Sequence, residues 1–218
     1  MKITYAGHSC VLLEGGLHVL VDPFVPQGKI PAEPDLVAVT HAHADHLGIA
    51  ASFRVPIITN NEIACYLKKK GCMVEPMNIG GTITIRDVVF TMTPALHSSW
   101  IEDEGVGFYG GSAAGFVITL DGVRVYHAGD TGLFSDMRLI GDLYHPDIAL
   151  LPIGGRYTMG PREAMMAADF IGAPVIIPIH YNTNPRIRQD AGEFARAVNE
   201  TTDMKVVVLE PGMSYQVS

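Results

Sequence analysis

Short apolar runs alternate with glycine, proline and polar turn residues along the chain, and this pattern predicts many strands joined by turns. One apolar run, over residues 36–40, ends directly at His41. Hairpin turns are predicted at Arg86-Asp87 and Asp121-Gly122. The predicted strands cover residues 3–5, 11–13, 19–21, 36–40, 83–85, 88–92, 116–120, 123–126, 148–151, 175–177, 206–209 and 214–217.

Three segments carry helix signals. Asn61 is predicted to cap a helix over residues 61–70, and a glycine-proline pair opens a second helix over 160–172. A last helix over 190–199 begins with a pattern like a capping box at Asp190. Many strands, few helices and a mixture of hairpins with crossovers predict an α+β fold. We expect a four-layer αββα sandwich in which two mostly antiparallel sheets carry helices on their outer faces.

The composition fits a single domain over residues 1–218, because 48% of the residues are hydrophobic and can fill one core. The absence of a long uncharged apolar run or a signal-like start predicts a cytoplasmic protein with no membrane segment. Cys10, Cys65 and Cys72 form no CxxC pair, which fits a reducing compartment. A net charge of −8 without a basic stripe argues against nucleic acid or anionic lipid as a partner.

Four side chains able to bind a metal lie within six residues where the 36–40 run ends: His41, His43, Asp45 and His46. Strand alternation places His41 and His43 on the same side, and the other two fall at the following turn. Imidazole suits zinc, iron or manganese, and an added carboxylate shifts a site toward harder ions without excluding zinc. The cluster therefore predicts a site facing two nearby ions.

Three more candidates also follow predicted strands: His97, Asp130 and His180. Asp130 stands in a glycine-rich loop, Gly129-Asp130-Thr131-Gly132. His18, inside a predicted hairpin strand, and His145, before a proline, are interpreted instead as structural residues.

The order of these motifs resembles the metallo-β-lactamase superfamily: HxHxDH, a distant histidine, an aspartate in a GDT context and a late histidine. Gly7-His8-Ser9, Val21-Asp22-Pro23 and the residues 151–155 resemble the small cytoplasmic branch that includes ascorbate-phosphate lactonase-like proteins. The resemblance implies the αββα fold and two divalent ions, with zinc or manganese expected ahead of iron. It implies that His41, His43 and His97 hold the first ion, that Asp45, His46 and His180 hold the second, and that Asp130 bridges them.

Two such ions about 3.5–4 Å apart can share a hydroxide that attacks an ester-like bond. We therefore expect a binuclear hydrolase that cleaves a lactone or a phosphodiester. Asp22 resembles the superfamily's supporting carboxylate, which orients a ligand imidazole. His8 and Asp45 are the predicted catalytic side chains; His8 either lines the pocket, donates to a leaving group or has a local turn role. His127 is predicted to face the core or to support the ligands.

The substrate is expected to be a small molecule, and an anionic group on it would suit Arg156. Tyr181, directly after His180, and Trp100 are further candidates for substrate contact. Trp100 lies in a glycine-rich segment, 98–115, which is predicted to be a mobile loop that covers the site and forms part of the pocket wall; the alternative is an exposed hairpin.

Other functions stay open. An iron-dependent redox enzyme on this scaffold would usually place a glutamate where His43 stands and would add an electron-carrying domain. An RNA-processing enzyme would be expected to bring a basic arm, which is not found here. A non-catalytic metal-binding protein is the third alternative, and the sequence leaves the oligomeric state open.

Overall fold

The computed structural model describes residues 1–26 and 29–217. The strands are β1 (Lys2–Gly7), β2 (Cys10–Glu14), β3 (His18–Val21), β4 (Leu36–Ala38), β5 (Ile57–Asn60), β6 (Val74–Met77), β7 (Thr82–Ile85), β8 (Val88–Pro94), β9 (Trp100–Asp103), β10 (Val106–Tyr109), β11 (Ala114–Leu120), β12 (Val123–His127), β13 (Ile148–Pro152), β14 (Val175–Ile179), β15 (Lys205–Val206) and β16 (Ser214–Gln216). The helices are α1 (Ala44–Leu47), α2 (Asn61–Lys69), α3 (Met137–Tyr144), α4 (Pro161–Ile171) and α5 (Ala191–Thr201). In the ranges that the structure describes, none of the helices has the length and apolar character needed to span a lipid bilayer.

Two seven-stranded sheets form the centre of the molecule, in the orders β16-β1-β2-β3-β4-β5-β6 and β15-β14-β13-β12-β11-β8-β7. Each sheet contains three antiparallel and three parallel pairings. The α+β sandwich is confirmed, but the expectation of mostly antiparallel sheets is wrong. Helical crossovers explain the difference, because parallel neighbours need a long connection that usually contains a helix.

The layers follow from strand alternation. In β11, Phe116 and Ile118 point into the core between the two sheets, and Val117 points to the outer face. Helices α3, α4 and α5 cover that outer face, whereas α2 covers the outer face of the first sheet. A strand covered on both faces has no solvent side, so its sequence reads as a continuous apolar run.

Most predicted elements are confirmed, and α4 and α5 begin where the proline and capping signals place them. The prediction that Asn61 caps α2 is wrong by one residue, because the Asn60 side chain accepts a hydrogen bond from Ile63 N–H. Strand β6 was not predicted because Glu75 and Pro76 interrupt its apolar pattern. Strands β5, β9 and β10 and helix α3 were also not predicted.

Strand direction brings the candidate ligands to one edge of the sandwich. Strands β1, β3 and β4 run the same way in the first sheet, and β8, β12 and β14 do so in the second. The C-terminal ends of these six strands lead into loops that carry the residues of interest. Those residues are His8, Asp22, His41, His97, Asp130 and His180.

Candidate metal centre

All seven predicted ligands come together at this edge. Their donor atoms fall into overlapping groups whose members lie within 4.8 Å of one another. One group is formed by three histidines, a second joins two histidines to Asp130, and a third includes Asp45 and His8. The groups are His41, His43 and His97; His41, His46 and Asp130; and His8, Asp45, His46 and His180.

The three-histidine group has the spacing of metal ligands. His43 Nδ1 lies 3.0 Å from His41 Nε2 and 3.2 Å from His97 Nε2. A tetrahedral site with bonds of 2.0–2.1 Å places its ligand atoms about 3.3–3.4 Å apart. Three ring nitrogens therefore converge at a distance that suits a divalent ion.

Asp130 lies between this group and the other histidines. Its Oδ1 is 3.2 Å from His46 Nε2, and its Oδ2 is 3.0 Å from His180 Nε2 and 3.6 Å from His97 Nε2. The separations of 3.2 Å and 3.0 Å are short enough for hydrogen bonds, but the groups are not oriented to form them. Among the described residues, His46 Nε2, Asp130 Oδ1 and His180 Nε2 are buried without a hydrogen-bond partner. Buried polar atoms are almost always satisfied, so these atoms fit ligands that point into a shared metal site.

Asp22 fixes the ring of His46 from behind. Its buried carboxylate accepts hydrogen bonds from His46 Nδ1 at 2.7 Å, from Thr40 N–H at 2.8 Å and from the Thr40 hydroxyl at 2.8 Å. The Thr40 hydroxyl also lies 3.1 Å from His41 Nδ1, which can donate to it. Both rings then hold their proton on Nδ1, which leaves Nε2 free as a donor atom for a metal.

The electrostatics keep the three-histidine group neutral, because burial lowers the pKa of His41, His43 and His97. Burial acts in the same direction on His46, yet Asp130 and Asp22 raise the pKa of that ring well above its usual value. Burial would raise the pKa of Asp130, but His46 and His180 hold it well below the ordinary range. Neutral imidazoles and an ionised carboxylate are the forms that bind a metal, so an ion bound at His46 Nε2 would take the place of a proton.

The cluster is open to solvent at Asp45, whose side chain is 43% exposed. His43 and His97 are partly buried, whereas His41, His46 and Asp130 are buried. His8, predicted to act on the substrate, is buried, and both of its ring nitrogens have partners inside the protein. His127 is also buried, with its Nε2 2.9 Å from the Ser9 carbonyl oxygen.

The segment 98–115 forms the β9–β10 hairpin, so the hairpin that was one of two alternatives is observed. Trp100 is half exposed and lies against Gly107, where an added Cβ would be 2.4 Å from the indole ring. Ser99 holds the base of the hairpin: its hydroxyl accepts from Ala42 N–H and donates to the Gly110 carbonyl. The base of the hairpin thus contacts Ala42, which lies between the candidate ligands His41 and His43.

The remaining predicted substrate residues differ in exposure. Arg156 is exposed, and its guanidinium lies 5.6 Å from the centre of the Tyr157 ring. Hydrogen bonding from Arg186, with Arg156 nearby, lowers the pKa of Tyr157. Tyr181 is buried with the core on the outer face of the second sheet, and burial raises its pKa to about 12. Tyr181 is therefore mainly a packing residue.

Sequence reasoning singled out Asp22 among the residues that support the candidate ligands through hydrogen bonds, but not the others. Thr40 could have been found, because it directly precedes His41 in the chain. Thr183 lies in the loop after His180, which could reach a bound anion, but nothing in the sequence predicts that its hydroxyl lies 2.7 Å from His8 Nδ1. Ser98 was also not proposed as a contact of the ligands, and its hydroxyl lies 3.4 Å from His43 Nε2.

Comparison with known proteins gives matches over the full chain. A family model described as Beta-lactamase superfamily domain matches residues 2–180. A UPF0173 metal-dependent hydrolase from Methanospirillum hungatei is 74% identical over 217 residues, which cover 100% of this chain and 99% of the relative. A protein of the same name from Methanoculleus marisnigri is 63% identical and is covered to 97%, again with 100% of this chain. Igni18, described as a novel metallo hydrolase from Ignicoccus hospitalis, is 38% identical with a TM-score of 0.89, and the match covers 100% of this chain and 99% of Igni18.

Proposed function

Because the chain belongs to the beta-lactamase superfamily, we propose that it is a binuclear metal-dependent hydrolase of a small molecule with an ester-like bond, either a lactone or a phosphodiester. The observation that carries this proposal is the convergence of seven donor side chains, three of which keep buried donor atoms without a protein partner among the described residues. One core filled from both sheets supports a single domain over residues 1–218.

The proposed ligand sets follow the observed grouping. His41, His43 and His97 would hold the first ion, and Asp45, His46 and His180 would hold the second. Asp130, which lies beside ligands of both sets, would bridge the ions. Mixed nitrogen and oxygen donors suit zinc or manganese, which we place ahead of iron.

When bound, a pair of such ions would supply a water of lowered pKa and would polarise the bond under attack. The chain's own residues do the positioning. Asp22 and Thr40 keep the protons of His46 and His41 on Nδ1, so both rings turn Nε2 toward the site. Asp45, the partly exposed carboxylate, is placed where a water or a substrate can reach it, and we assign it the catalytic contact with the reacting water.

The substrate is proposed to carry a negative charge. Arg156 and Arg186 both lower the pKa of Tyr157, Arg186 mainly through a hydrogen bond. Two cations and a phenol therefore lie together on a chain whose net charge is −8. The loop before Arg156 packs closely against the backbone of His180: a Cβ on Gly154 would lie 2.5 Å from the His180 carbonyl oxygen. Guanidinium groups recognise carboxylate and phosphate by paired hydrogen bonds. The half-exposed Trp100 is proposed to contact an apolar part of the same substrate.

Metal reconstitution tests the proposal. The protein is stripped with a chelator, loaded separately with Zn²⁺, Mn²⁺ or Fe²⁺, and assayed against lactone, phosphodiester and thioester substrates. We expect hydrolysis of a lactone or phosphodiester with zinc or manganese. No hydrolysis with any metal would contradict the proposal and favour a redox or a non-catalytic metal-binding role.

A matched pair of variants tests whether the cluster is responsible. His43→Ala removes a donor atom and should lower turnover by more than the roughly 10–100-fold typical of losing an outer-shell partner. His145→Asn is the control, because His145 is exposed at the end of α3 in a left-handed conformation that asparagine tolerates. A His43→Ala protein with full activity would exclude the binuclear mechanism.

A further inference from the structure

His8 occupies a constrained position directly after β1. It is buried, and its φ of 56° lies in the left-handed region that non-glycine residues seldom adopt. Such conformations persist only where surrounding contacts enforce them, and they concentrate at functional sites. The contacts around His8 therefore indicate what the residue does.

The side chain of His8 connects two loops. Its Nε2 lies 3.1 Å from Asp45 Oδ2, and its Nδ1 lies 2.7 Å from the Thr183 hydroxyl. A carboxylate only accepts hydrogen bonds, so Nε2 carries a proton and donates it to Asp45. In the neutral ring, Nδ1 then accepts from the Thr183 hydroxyl. Neither nitrogen remains free for a substrate.

The main chain of His8 reaches another candidate ligand. The His8 carbonyl accepts hydrogen bonds from His180 N–H at 2.7 Å and from the Tyr5 hydroxyl at 3.0 Å. The rings of His8 and His180 also pack with their centres 4.1 Å apart. His180 itself has a φ of 54°, so this hydrogen bond helps to hold a second strained residue.

From these contacts we infer that His8 is a positioning residue that holds Asp45 and His180 in place for the second metal ion and thereby controls whether the second site fills. This inference rests on the proposed binuclear centre. The ring contacts support it, because His8 packs against His46 and His180, both assigned to the second ion. The hydrogen bond from His8 Nε2 thus holds Asp45 Oδ2 from the buried side and fixes the direction of the carboxylate.

Metal binding by wild type and His8→Asn tests the inference. Asparagine tolerates the left-handed backbone at this position and is too short to replace the Nε2 donor. Stoichiometry is measured by elemental analysis, and affinity by competition with a zinc chelator. Wild type should bind two ions; His8→Asn should keep the first and bind the second 10–100-fold more weakly, the usual effect of losing an outer-shell partner.

Variants of Thr183 provide a gentler test if His8→Asn folds poorly. Thr183→Val removes the hydroxyl that bonds to His8 Nδ1 and should weaken only the second ion, whereas Thr183→Ser keeps the hydroxyl and should bind like wild type. If wild type binds two ions and His8→Asn binds the second ion with unchanged affinity, the role of His8 is overturned but the binuclear proposal is not. Wild type that binds fewer than two ions would overturn the binuclear proposal and this inference with it.

A nitrogen NMR measurement separates positioning from direct ligation. In zinc-loaded wild type, a positioning His8 keeps a proton on Nε2, which gives a one-bond coupling between nitrogen and hydrogen. Loss of that proton with a shift of Nε2 to the metal-bound range would show that His8 is itself a ligand, and would overturn the positioning role.

Discussion

The candidate metal centre has a buried half, formed by Asp22, His41, His46 and Asp130, and exposed loops beside it that carry Trp100 and Arg156. The two parts are built differently. In the buried half, Asp22 alone accepts three hydrogen bonds, and the rings of His41 and His46 each have a partner on Nδ1. In the exposed loops, Trp100 lies against Gly107 of the same hairpin, and the Arg156 guanidinium lies 5.6 Å from the centre of the Tyr157 ring. Internal hydrogen bonds thus hold the candidate metal ligands, whereas the side chains proposed to contact the substrate have few internal restraints.

The largest expected effect tests how tightly the buried half is packed. Gly129, directly before Asp130, has a φ of 63°, and an added Cβ would lie 2.6 Å from the Ala114 carbonyl oxygen. Gly129→Ala should destabilise the metal-free protein by about 2–5 kcal/mol, from left-handed strain together with overpacking. Thermal unfolding measures this, with about 2–4 °C of Tm per kcal/mol at this chain length.

Gly122→Ala is the matched control for this substitution. Gly122 has a φ of 79° but nothing within 4 Å of an added Cβ, so it isolates the backbone strain, about 1–2 kcal/mol. Equal losses of stability in the two variants would show that the close approach at Gly129 contributes nothing.

A smaller effect tests whether hydrogen bonding in the buried half serves the metal. Asp22→Asn places an amide where His46 Nδ1–H and the Thr40 hydroxyl need an acceptor. Metal affinity should fall about 10–100-fold, roughly 1.4–2.7 kcal/mol, as measured by chelator competition. Asp121→Asn is the control, since the Asp121 carboxylate accepts from Gly16 N–H in an exposed turn and has a φ that asparagine tolerates. Unchanged affinity in Asp22→Asn would leave Asp22 with a purely structural role.

The candidate ligands could be predicted from the sequence more readily than the residues that support them. The loops that carry the candidate ligands follow strands, and residues able to bind a metal at strand ends can be recognised in a sequence, so the grouping of His41, Asp130 and His180 at one edge could be predicted. The support of Asp45 by His8 joins residues 37 positions apart, and that of His8 by Thr183 joins residues 175 apart. Such contacts depend on how two sheets meet and leave no local pattern. Sheet direction in the first sheet was misjudged for a different reason: β5 and β6 were not predicted, and they take part in two of its three parallel pairings.

The smallest expected effect tests the exposed loops. Arg156 is exposed, and a charged contact there is weakened by water, so its loss should be modest. Arg156→Ala should raise KM for an anionic substrate roughly threefold to tenfold, with kcat and metal content unchanged, because the contact is made equally in the ground and transition states. Arg54→Gln is the control, since Arg54 bonds the carbonyls of its own loop. An equal rise in KM for a neutral analogue of the substrate would show that Arg156 shapes the loop and does not recognise the negative charge. A fall in kcat at constant KM would show instead that Arg156 makes a contact only in the transition state.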